Sequence, residues 1–111
     1  MPKVEVALVI KPHWISQIFN HGKIWKITGT ACKRRGRIAI AASGGGLIGE
    51  VTVVDCLRVG RFDAETLELH PYSNKERHQR VFIGRPEHFE KHRIEDMSIV
   101  TYPVVFAWAF H

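Results

Sequence analysis

Cysteine is scarce in this chain. Cys32 and Cys56 are the two it has. They stand apart with no Cys-x-x-Cys pair, so the sequence carries neither a disulfide framework nor a zinc motif. Long apolar runs are equally lacking. Nothing approaches the roughly 20 residues that span a bilayer. Residues 1–10 do not read as a signal peptide, because Glu5 interrupts them and Lys11-Pro12 ends them without a small-residue cleavage site. A cytoplasmic location, reduced thiols and no membrane association are the expectation. Gly44-Gly45-Gly46 lacks the Gly-Lys-Ser/Thr of a phosphate loop, and a strand pattern rather than a helix follows, so it reads as a hairpin turn. Repeats, linkers and low-complexity runs are absent too.

The 111 residues are 45% hydrophobic, enough for one core and too short for two, so a single domain over residues 1–111 is expected. The formal charge is +5, and it is unevenly placed. Residues 1–62 hold ten cations against three carboxylates, a balance of +7, whereas the remaining 49 hold six against eight, a balance of −2. Lys33-Arg34-Arg35-Gly36-Arg37 is the densest stretch. Clustered cations of this kind displace counterions from phosphates, which points to a polyanionic partner.

Val4 to Ile10 is nearly continuous in branched apolar residues and reads as a buried strand. Pro12 suits a first helical position, and Trp14, Ile15, Ile18 and Phe19 fall on one helical face opposite Ser16, Gln17 and Asn20. Asn20-His21-Gly22 supplies a helix end. Lys23 to Thr28 reads as a strand with Lys23, Trp25 and Ile27 on one face and Ile24, Lys26 and Thr28 on the other. A loop over 30–36, a strand over 37–43, the glycine turn and a longer strand over 47–59 follow. Phe62 to Leu69 is predicted helical from an Asp63 cap, Pro71 to Arg80 a loop, and Arg85-Pro86 the opening of a short helix to about Lys91. Tyr102 to Phe110 is the closing strand, with Pro103 tolerable near its start.

Several of these pieces form an ordered set. Val9-Ile-Lys-Pro-His-Trp14 with its helix comes first, then Lys23-Ile-Trp25 and Arg35-Gly-Arg-Ile-Ala-Ile-Ala-Ala-Ser43. Ile48-Gly-Glu-Val51 follows, and Tyr102 with Phe106-Ala-Trp108 completes it. In this order the chain resembles an ASCH domain, one of the PUA-like group of small β-barrels. The resemblance implies an α+β fold: a PUA-like β-barrel of about five or six strands, a helix after the first strand and one or two further short helices. It also implies an RNA partner, where charge implies only a polyanion. Where the family signature carries Glu and then Arg, this chain has Lys26 and Thr28. Some small relatives are amidohydrolases acting on an acetylated cytidine with a Lys, a Thr three residues on and a distant Glu. Lys23 matches the Lys, but Lys26 stands in the place of the Thr nucleophile.

The expected function is therefore nucleic-acid binding, RNA before single-stranded DNA, at a basic cleft on the barrel rim. Lys11, Lys23, Lys26, Arg34, Arg35 and Arg37 would hold the backbone, since guanidinium groups make bidentate phosphate contacts, while Trp25 and Tyr102 contact a base. Trp14 and Trp108 read as core, and Trp25, between two lysines, as the tryptophan a ligand reaches. The rival is a hydrolase on the same scaffold, a modified-nucleoside amidohydrolase or a ribonuclease, built from Lys23, Thr28, Ser43 and Glu50, which needs a carboxylate beside Lys23 and Thr28 for proton transfer. A third reading, a protein-interaction module, would show an apolar surface patch instead of a basic one. No cofactor is expected. The seven histidines, with His88 and His92 at i, i+4, lack accompanying motif ligands, so no metal site is expected and His92 is predicted to bond locally.

Overall fold

A long, bent strand organises the sheet. The structure, a computed structural model, describes residues 7–20 and 24–111. In chain order they form β1 (Ala7–Ile10), α1 (Pro12–Asn20), β2 (Trp25–Thr28), β3 (Gly36–Ala42), β4 (Leu47–Asp63), β5 (Glu68–His70), α2 (Glu76–Arg80), a 3-10 turn (Pro86–His88) running into α3 (Phe89–His92), a second 3-10 turn (Met97–Ile99) and β6 (Val105–Phe110). The six strands make one mixed sheet ordered β1-β3-β4-β6-β2, with β5 on the end of β4. Only β1 and β3 run parallel. The architecture is α+β.

β4 pairs with β3 over its first half and with β6 over its second, and register shifts fall between Val53 and Asp55 and between Arg58 and Gly60. Such bulges bend a strand and increase its twist. The sheet curls, so that its two edge strands, β1 and β2, line a common cavity. It does not close, and no β1–β2 pairing occurs among the described residues.

The core lies on both faces of the sheet. Trp25, Val59, Ile83, Ile94, Val100, Val105, Ala107 and Ala109 form one cluster. Ile10, Ile15, Ile38, Ile40, Val51, Val53 and Phe110 form the other, with Trp108 packed at its margin. Alternate residues of β6 thus enter opposite clusters, which is why that strand is apolar throughout rather than half polar. Helix α1 buries Ile15 and half-buries Trp14 and Ile18, while Phe19 is exposed and covers Gly49, where a Cβ would stand 2.8 Å from its ring. The glycine turn is present, with Gly44 at φ +76°, a conformation that favours glycine.

Three sequence readings need correction. The strand that ends at Ile10 is not buried on both faces: β1 is an edge strand that buries Ile10 and leaves Ala7 and Val9 exposed. Phe62 to Leu69 is not a helix. Asp63 Oδ1 does accept from the N–H of Glu65 at 2.9 Å, as a cap would. However, Leu67 turns left-handed at φ 59°, and the chain reverses so that Phe62 pairs with Leu69. Pro71 to Arg80 is not all loop either, since α2 occupies its end. Its buried residue is His78, a polar type that hides the burial signal from a hydropathy reading. The strand and helix end expected over 1–6 and 21–23 lie outside the described residues.

His78 Nδ1 lies 2.6 Å from Ser73 Oγ, and its Nε2 is buried without a partner. Burial, then the positive charges of Arg77, Lys75 and Arg58, holds its pKa below the ordinary 6.5. The unfolded chain therefore takes up a proton below about pH 6.5 that the folded chain refuses. This stability contribution is complete above that pH and is lost as pH falls through the window beneath it. The urea midpoint should accordingly drop between about pH 7.5 and about pH 5.5. In His78→Gln the drop should shrink; an equal drop there would assign the effect to other groups.

Candidate functional site

The cavity between the sheet edges has a volume of about 360 Å³, within the roughly 300–1,000 Å³ of small-ligand sites. β1 contributes Val9 and Ile10, and β2 contributes Lys26 and Ile27. Lys11, Trp14 and Ile18 come from the start and body of α1, and Ile94, Ile99, Val100 and Tyr102 from the segment that precedes β6. Among the described residues no carboxylate lines it. A smaller cavity of about 220 Å³ adjoins it through Trp14, Ile94 and Ile99 and adds His13, Gln17, Arg93, Glu95 and Asp96.

Strand pleating places Lys26. Its neighbours Trp25 and Ile27 join the first core cluster, so Lys26 emerges on the opposite face, directly across from Trp108. Its Nζ stands over the Trp108 ring, 5.2 Å from the centroid, a cation–π distance. Burial lowers its pKa from 10.5, because a partly desolvated ammonium loses hydration that nothing fully replaces. Tyr102 reaches the cavity past Gly29, where any Cβ would come within 2.7 Å of its ring.

A loop over residues 29–35 leaves the far end of β2. Trp108 Nε1 donates to its Thr30 carbonyl at 2.8 Å, so one indole touches both the cavity's Lys26 and the basic loop. Arg35 is spent partly on its own loop, donating to the carbonyls of Cys32 (3.0 Å) and Arg34 (2.8 Å), and it pairs with Asp55 at 3.6 Å. Arg37 pairs with Glu50 at 3.2 Å. Lys33 and Arg34 are exposed cations of the loop.

The residues expected at the interface therefore divide. Lys11, Lys26 and Tyr102 meet in the cavity, Arg34 and Arg35 stand apart on the loop with Arg37 at the start of β3, and Lys23 lies outside the described residues. Trp25 is not ligand-accessible: it is 3% exposed and packs against the His88 ring at 5.0 Å with Lys91 over its face. Trp108 and Trp14, expected in the core, are half-buried and pack against its clusters. Trp14 carried its own signal by following Lys11-Pro12, whereas the 94–100 wall had none, being a short segment around one 3-10 turn without apolar periodicity.

Of the residues proposed for hydrolysis, Lys23 lies outside the described residues, and the other three stand apart from the cavity. Thr28 lies opposite Phe106, Ser43 sits in the turn with its N–H on the Ile10 carbonyl, and Glu50 is engaged by Arg37. None of them lines the cavity. The His88 and His92 nitrogens bond locally, His88 Nε2 donating to the Arg80 carbonyl at 2.7 Å and His92 Nδ1 accepting from Ile94 N–H at 2.9 Å. Among the described residues no group of three or more His, Cys, Asp or Glu is placed to hold a metal, and no helix is long and apolar enough to cross a membrane. Compared with known proteins, the chain matches no family model and no curated protein.

Proposed function

We propose that this chain is an ASCH-type, PUA-like domain with an open barrel, and that it binds single-stranded RNA at the cleft between β1 and β2. The observation that carries the reading is the cavity's composition among the described residues: two lysines, Lys11 and Lys26, and two aromatic side chains, Trp14 and Tyr102, around apolar walls without a carboxylate. An unpaired base has a π face that stacks on such rings, and its flanking phosphates need cations rather than carboxylates. Lys11 and Lys26 serve the phosphates beside the inserted base. Lys33 and Arg34, joined to the cavity through Trp108 and Thr30, extend the cationic track along the strand.

RNA rather than DNA rests on the resemblance; the charge and the cavity require only a single-stranded polyanion. Duplexes fit poorly, because a paired base has no free face to insert.

The test is an electrophoretic shift with labelled single-stranded RNA against the matching duplex over a series of salt concentrations. About four phosphate contacts on a single strand give a slope of log affinity against log salt near −3. Affinity should also fall on the alkaline side sooner than an ordinary lysine would make it, because the Lys26 pKa is lowered. Equal binding of duplex and single strand, or a slope near zero, would sink the reading. Release of acetate from N4-acetylcytidine, tested with the same preparation, would favour the hydrolase instead.

A further inference from the structure

The two cysteines, far apart in sequence, meet in space. Cys56 on β4 lies directly across from Trp108, and the basic loop folds over that position, so that the backbone N–H of Cys32 donates to Cys56 Sγ at 3.3 Å. Both thiols are free and half-buried. The Cys32 thiol itself is turned toward the Arg34 carbonyl, at 3.6 Å.

We infer that Cys32 and Cys56 form a redox modification site, a dithiol that closes to a disulfide by exchange with a low-molecular-weight disulfide such as glutathione disulfide and thereby clamps the basic loop onto β4. Covalent geometry supports closure. With the Cys32 nitrogen 3.3 Å from the Cys56 sulfur, the two Cα atoms stand no more than about 7.5 Å apart, against the roughly 4.4–6.8 Å that disulfides span. Rotation of the Cys32 side chain away from Arg34, with at most a small loop adjustment, brings the sulfurs together.

The exchange balances. One cysteine thiolate attacks a sulfur of glutathione disulfide, forming a mixed disulfide and releasing one glutathione, which takes up a proton. The second cysteine, as thiolate, attacks the protein-bound sulfur, forms the Cys32–Cys56 bond and expels the second glutathione, which is protonated in turn. Two protein thiols are oxidised and one glutathione disulfide is reduced to two glutathiones. The exposed Lys33 and Arg34 favour encounter with this carboxylate-rich reagent.

The consequence falls on the loop. Its cations now hang on one indole bond, Trp108 to Thr30, the Arg35 contacts and the N–H···S contact; a covalent link at residue 32 restricts the peptide bonds after Lys33, Arg34 and Arg35.

The experiment treats the reduced full chain with glutathione disulfide under native conditions and follows intact mass, melting temperature and limited tryptic cleavage. The mass should fall by two hydrogens with no glutathione retained. Tm should rise on the order of 10 °C, because the bond closes a loop of the length that gives such gains. Cleavage in the loop should slow about tenfold as its local opening is suppressed. Cys32→Ser and Cys56→Ser should each hold one glutathione as a mixed disulfide instead. A wild-type protein that retains glutathione, that closes the bond only in denaturant, or whose Tm falls on closure would overturn the inference. None of these readouts involves RNA, so their failure and that of the binding reading are distinct.

Discussion

Replacing Trp25 by Ala should cost about 3–5 kcal/mol of stability, the range for truncating a fully buried large aromatic, and leave a protein marginal at body temperature. The indole is 3% exposed in the cluster that also holds Val59, Ile83, Val105 and Ala107. Its ring meets His88, whose Nε2 ties the 3-10 turn to Arg80, and Lys91 lies over its face. Removing it therefore opens a cavity where β2 supports the whole segment from α2 to α3. Relaxation would be limited, because Trp25 is held opposite Ala109, which has no side chain long enough to fill the gap. Urea unfolding followed by circular dichroism checks this, with Trp25→Phe as the graded control, expected to lose less. A loss below about 1 kcal/mol would mean that the indole is not part of the core.

In the RNA reading, Lys11→Ala combined with Lys26→Met should weaken binding to single-stranded RNA by roughly a hundredfold, since hydrogen bonds to charged groups contribute about 1.5–3 kcal/mol each. The salt slope should fall in magnitude by about 1.4, from two lost single-strand phosphate contacts. The fold should tolerate both changes. Lys11 is exposed, and Met at position 26 keeps an apolar stem over Trp108 without an ammonium that burial already disfavours. Fluorescence anisotropy against one RNA at several salt concentrations measures both numbers. An affinity that falls while the slope stays fixed would place the phosphates elsewhere, on Lys33 and Arg34.

Much of the local structure was legible in residue pattern. Pro12 and the spacing of Trp14, Ile15 and Ile18 define α1. The glycine run defines the β3–β4 turn, and Arg85-Pro86 opens the helical stretch to His92. Asp63 illustrates the limit of such reading. Its carboxylate makes the expected bond to the following backbone, but that bond serves a helix cap and a tight turn alike. The pairing of Phe62 with Leu69 decided for the turn.

The site was legible in part for a similar reason. Alternation along β2 and β6 correctly separates Trp25 and Ile27 from Lys26, and Val105, Ala107 and Ala109 from Trp108. A period of two says which side chains share a face, and nothing about how deeply each face is covered. Here Trp25 of β2 is covered by His88 and Lys91, whereas Trp108 of β6, on the opposite face, remains half open beside Lys26.

By itself, then, the sequence determined the order and kind of most elements, the apolar closing strand and the cationic loop. These follow from propensity, periodicity and charge, which act within a few residues. Tertiary structure alone decided that the bulged β4 brings the two sheet edges to one cavity, that the 94–100 segment walls it, that Asp55 and Glu50 draw Arg35 and Arg37 into ion pairs, and that Cys32 meets Cys56. Each depends on register and curvature between segments more than a dozen residues apart, and no local pattern carries that information.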